Sequence, residues 1–167
     1  MPNLILMRHA NAEFASPGMQ DFDRPLSKNG HAEAQLAAQM FVQTGFTISN
    51  VFCSPARRTL ETLACFRETI NIADDHIAYR DALYSGDVSS YQNLVSALES
   101  DARCLIIGHN PMIEHFAFDL VQRDDGTGLN QLKMGFPTAA IAIIELEGKV
   151  NGLIPNAKLL HFLNPHS

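Results

Sequence analysis

Leu4-Ile5-Leu6-Met7-Arg8-His9-Ala10 decides how the chain is read: four large apolar residues in a row, broken off by a cation and an imidazole. A short continuous apolar run is the pattern of a strand buried on both faces, as in a parallel sheet. The pattern returns at Asn50 to Cys53, followed by Ser54-Pro55-Ala56-Arg57-Arg58, and at Arg103 to Ile107, followed by Gly108-His109. Longer segments of helical spacing separate these runs. They cover Lys28 to Val42, ending near Gly45, about Arg57 to Thr69, and Ser89 to Glu99, with Asp87 or Ser89 as its cap. Pro111 suits the first turn of another helix reaching about Gln122. Thr138 to Leu146 and Ala157 to Leu163 read as the remaining strands, and Asn71 to Asp87 as irregular and polar. This alternation predicts an α/β fold of three layers, a mostly parallel central sheet with helices on both faces, in one domain over residues 1–167.

The chain's 167 residues, 46% of them hydrophobic, can bury a core without disulfides or a structural metal. Cys53, Cys65 and Cys104 are odd in number and set among apolar neighbours, as reduced core thiols are. A net charge of -6 and no run of Lys or Arg exclude a nucleic-acid partner held by counterion release. No apolar stretch is long enough to cross a bilayer, so no membrane is expected as a partner. The first residues lack the basic start and apolar core of a signal peptide, so a cytoplasmic location is expected.

In open α/β sheets the ligand crevice lies outside the carboxyl ends of the strands. Arg8 and His9, Arg58, and His109 each follow a strand, so folding is expected to bring them to one edge. Two guanidiniums and two imidazoles together make an anion site, since Arg presents paired donors that match phosphate oxygens. Two fixed positive charges with no carboxylate beside them in sequence argue against a metal, and no cofactor is called for. The chemistry then falls to histidine. A neutral imidazole attacks phosphorus, nearby positive charge lowering its pKa, while the second histidine and the arginines stabilise the transferring oxygens. Composition does not rank the two histidines.

These residues carry a family resemblance. Arg8-His9-Ala10 resembles the Arg-His-Gly signature of the histidine phosphatase superfamily, with Ala10 in place of glycine. Asp23-Arg24-Pro25-Leu26-Ser27, with Gly30, is similar to its Asp-x-Pro-Leu-[Ser/Thr] segment. Ser54-Pro55-Ala56-Arg57-Arg58-Thr59-Leu60-Glu61-Thr62 resembles its Ser-Pro-x-x-Arg block and selects Arg58 over Arg57, and Gly108-His109-Asn110-Pro111 resembles its second histidine motif. Length and Leu83-Tyr84-Ser85-Gly86-Asp87 resemble the SixA-type phosphohistidine phosphatase branch. The resemblance implies a phosphoglycerate-mutase-like fold without a large cap, with His9 as nucleophile and Arg8, Arg58 and His109 on the phosphoryl group. It also implies Asp81 as general acid, with Asp87 second, and Asn11 as a further phosphate contact where the family carries a hydroxyl or amide.

About 50 residues separate Arg58 from His109, mostly taken up by two helices and an irregular stretch, leaving little chain for a cap. An open site suits a phosphorylated side chain on a protein, here phosphohistidine, whose imidazole leaves readily once protonated. The rivals are a phosphomonoesterase or phosphomutase-like enzyme acting on metabolites, and an inactive phosphoprotein-binding module. A cysteine phosphatase is excluded because no cysteine stands at the needed spacing before an arginine, and no glycine-rich nucleotide loop is present. His31, His76, His115, His161 and His166 read as surface or packing residues, and Asp74-Asp75 and Asp124-Asp125 as solvated loop charge.

Overall fold

The computed structural model describes residues 1–122, 128–148 and 156–167. In chain order the elements are β1 (Asn3–Arg8), α1 (Lys28–Gln43), β2 (Asn50–Cys53), α2 (Arg57–Arg67), β3 (Ile77–Tyr79), α3 (Ala82–Ser85), α4 (Val88–Ser96), β4 (Arg103–Gly108), α5 (Met112–Val121), α6 (Gly128–Lys133), β5 (Ile141–Glu147) and β6 (Asn156–Leu163). They form one six-stranded sheet in the order β3-β2-β4-β1-β5-β6. The first four of these strands run parallel, and β5 and β6 add an antiparallel edge. The expected α/β architecture with a mostly parallel sheet is observed.

The apolar run that opens the chain lies in the middle of this sheet. Leu4 and Leu6 face a core shared with α4, α5 and α6, while Ile5 and Met7 face one shared with α1 and α2. All four are fully buried, each worth about 1.5–3 kcal/mol in removed apolar surface. Burial on both sides is why the strand reads as a continuous hydrophobic run without alternation. Ser27 caps α1 by accepting the Gly30 N–H at 3.0 Å. Gly30 itself lies so close to the Asn11 carbonyl that a Cβ there would overlap it, so the segment after β1 packs directly on the first turn of α1.

Three elements depart from the sequence reading. The segment 71–87, expected to be irregular, contains β3 and the one-turn helix α3. β3 has three residues and none is fully buried, so it carries no periodic signal; pairing with Val51, Phe52 and Cys53 of β2 defines it. The short helix α6 is held by tertiary packing, with Leu132 buried and Gly128 against Leu159. Asp124-Asp125 lie outside the described residues. Among the described residues no helix is long and apolar enough to cross a membrane.

Candidate active site

Adjacent parallel strands put their carboxyl ends on one edge, with Arg8 in register with Gly108 and Cys53 with Ile107. His9 follows β1 and is fixed by its backbone, which donates to Gly108 O and accepts from Ala139 N, both at 3.1 Å. Arg58 lies in the first turn of α2, and its Nε donates to His9 Nε2 at 3.3 Å. His109 follows β4, its ring centroid 5.2 Å from that of His9. Arg8 closes β1 and donates through Nη1 to Phe136 O at 3.1 Å. Arg57 turns away and pairs with Glu61 at the surface at 3.0 Å.

Hydrogen bonding fixes the form of each imidazole. His9 Nδ1 lies 2.7 Å from Ala10 O, which can only accept, so Nδ1 carries the proton and Nε2 keeps a lone pair toward Arg58. His109 Nε2 lies 2.7 Å from Ser54 Oγ. Ser54 is fully buried and its hydroxyl has no other acceptor among the described residues, so its proton goes to His109 Nε2 and the ring proton of His109 to Nδ1. Among the described residues, that Nδ1 is buried without a partner, as is Nε of Arg8. Two enclosed, unpaired donors beside an imidazole lone pair form a site short of an acceptor, which an anion would supply.

His109 is placed with equal care. Its backbone N–H donates to Tyr91 Oη of α4 at 3.2 Å. Gly108 allows this approach, because a Cβ there would overlap the Tyr91 hydroxyl. Burial, more than charge, holds both histidines neutral. It pushes His9 from 6.5 down to about 3, against the Ala10 carbonyl and with help from His109, Arg58 and Arg8. It lowers His109 to about 4, helped by Arg58 and Arg8 and opposed by Asp21. The sequence reading named positive charge as the cause; in the folded protein it is secondary to desolvation.

The structure adds a carboxylate and an aromatic ring that sequence reasoning left out. Asp21 accepts from Arg58 Nη1 through its backbone oxygen at 2.8 Å and from Nη2 through Oδ2 at 3.1 Å. Arg24 and Tyr84 also donate to its carboxylate, both at 2.9 Å. The bond from Arg24, then those from Tyr84 and Arg58, overcome burial and hold the Asp21 carboxyl at about 2. Tyr84 packs edge-on against His109, centroids 5.5 Å apart, and lies 5.9 Å from the Arg58 guanidinium carbon. Its segment, Leu83 to Asp87, was part of the resemblance, so it alone gave a prior signal.

The weaker candidates fall outside the cluster. Asp81 precedes α3 and lines a neighbouring cleft, its carboxylate without a partner among the described residues. Asp87 caps α4 by accepting from Ser89 N at 2.9 Å. Asn11 is exposed and its Oδ1 accepts from Ser27 Oγ at 2.7 Å, leaving only its amide N–H groups free for phosphate.

The sequence pattern of the histidine phosphatase superfamily (branch 1) matches residues 4–84. Phosphohistidine phosphatase SixA of Escherichia coli (strain K12) is 27% identical over 151 residues, 89% of this chain and 88% of that protein. A structure from Nakamurella multipartitia assigned to SixA is 30% identical with a TM-score of 0.83, over 99% of this chain and 97% of that one. One from Agrobacterium tumefaciens, with the same assignment, is 29% identical with a TM-score of 0.83, over 98% and 97%.

Proposed function

The chain belongs to the histidine phosphatase superfamily and is a SixA-like phosphatase, and from that premise we infer that it removes phosphate from phosphohistidine on a protein through a phosphohistidine at its own His9. The observation that carries this reading is the His9 Nε2 lone pair held beside Arg58, with donors unpaired among the described residues on His109, whose ring packs on that of His9, and on Arg8, whose charge acts on His9. A phosphoryl group would take those donors on its oxygens while His9 Nε2 meets phosphorus in line with the departing atom. As the His9–phosphorus bond forms, the bond to the substrate nitrogen breaks and its electron pair stays on that nitrogen. The Nδ1–H bond to Ala10 O supports the phosphorylated ring, and water then attacks phosphorus, returning the bonding pair to Nε2.

Among the described residues no carboxylate bonds to either histidine, which fits a leaving group that departs as neutral imidazole. An alkoxide would need a proton from a positioned acid. Comparing kcat/KM on a phosphohistidine peptide with that on sugar phosphates tests the reading. A preference for phosphohistidine that disappears in His9→Ala is expected. A preference for sugar phosphates would assign the pocket to metabolite chemistry.

A further inference from the structure

A second cleft, of about 370 Å³, adjoins the phosphate pocket and is lined by Asp21, Phe22, Pro55, Asp81 and Tyr84 among others. It shares two residues with the candidate active site: Tyr84, packed on His109, and Asp21, bonded to Arg58. Phe22 and Tyr84 meet edge to face, centroids 5.0 Å apart, and make an aromatic corner. Asp21 is saturated by Arg24, Arg58 and Tyr84, whereas the Asp81 carboxylate has no partner among the described residues. Among the described residues no Lys or Arg lines the cleft itself.

We propose that this cleft is the leaving-group subsite, taking the protonated imidazole of a phosphohistidine between the aromatic corner and the Asp81 carboxylate. The acidic residues do not carry this alone. Tyr84 and Asp21 border both the Arg58–His109 pocket and the cleft, which puts the cleft within reach of a group bonded to phosphorus in that pocket. A planar cation suits aromatic walls and an unpaired carboxylate, while a carboxylate-bearing leaving group would meet uncompensated negative charge. The substrate ring takes a proton from solvent on the nitrogen not bonded to phosphorus, and that N–H donates to Asp81. When the phosphorus–nitrogen bond breaks, its electron pair stays on the ring nitrogen and neutral imidazole departs. Asp81 then acts as an acceptor that favours the protonated ring, in place of the proton donor that the family resemblance implied.

The proposal rests on the phosphohistidine reading and is tested on the intact enzyme with Asp81→Asn and Asp81→Lys. The first readout is the ratio of kcat/KM for a phosphohistidine peptide to that for a phosphotyrosine peptide. The second is binding of 1,3-dimethylimidazolium to tungstate-loaded enzyme, followed by the Tyr84 ring resonances, with neutral 1-methylpyrazole as control. An exposed carboxylate predicts a ratio about fivefold lower in Asp81→Asn, lower again in Asp81→Lys, and a parallel loss of imidazolium but not pyrazole binding. If the parent hydrolyses phosphohistidine and both readouts are indifferent to Asp81, the subsite is overturned and the proposed function stands. If the parent does not hydrolyse phosphohistidine at all, both fall together.

Discussion

Acidification acts on this protein through the two histidines of its pocket. His9 is held at about 3 and His109 at about 4, against 6.5 for an imidazole in the unfolded chain. Above pH 6.5 both states are neutral at these positions and the full stability is present. Below 6.5 the unfolded chain binds protons that the folded protein refuses, so stability falls as pH falls. Each refused proton contributes a slope of about 1.4 kcal/mol per pH unit, and the two together about 2.7. Over about 1.5 units below pH 6 the loss is about 4 kcal/mol, a large part of the 5–15 kcal/mol typical of a domain. Asp21 adds nothing in that window. Its carboxyl is depressed from 3.8 to about 2, so its contribution is present above 3.8 and lost only at lower pH. Urea unfolding at a series of pH values, in the parent, His9→Asn, His109→Asn and the double variant, measures the slope. Each single substitution should flatten it by about one proton and the double by about two. A double variant with the parent's slope would refute the assignment of buried, neutral imidazoles.

Arg58→Lys keeps the charge but loses the fork that spans His9 and Asp21. A loss of about 2 kcal/mol of transition-state stabilisation, roughly thirtyfold in kcat/KM, is expected in steady-state assays, and full activity would remove Arg58 from the pocket. Gly108→Ala places a Cβ 2.9 Å from Tyr91 Cζ and onto its hydroxyl oxygen, at a cost of about 1–3 kcal/mol in urea unfolding. Tyr91→Phe in that background should recover part of the loss, and an unperturbed Gly108→Ala would contradict the packing described. Dialysis against a chelator should leave turnover of p-nitrophenyl phosphate unchanged, because the nucleophile is an imidazole. Activity lost on dialysis and restored by a divalent cation would count against it.

Much of this site was legible because its main residues occupy positions that the topology dictates. Arg8, His9 and His109 sit at the ends of β1 and β4, strands whose apolar runs are hard to mistake. Arg58 opens the helix after β2, where the Ser54-Pro55 turn marks the junction. Asp21 was not legible. It lies in a loop with no periodicity, and it reaches Arg58 only because the chain returns past Glu13 through Pro25 and anchors at Leu26, whose N–H donates to Glu61 at 2.6 Å. Ser54 was visible as part of a motif, but its task, fixing the His109 tautomer, depends on a 2.7 Å contact across 55 residues of sequence. β3 and α6 escaped notice because pairing and packing, rather than local pattern, create them.

The central claim is tested most directly by catching the enzyme part-way through its reaction. Mixed with a phosphorylated substrate and quenched in base on the millisecond scale, it should carry acid-labile, base-stable phosphate, and peptide mapping should place that phosphate on His9. Phosphate on His109, or steady turnover with no phosphate on any histidine, would contradict the account.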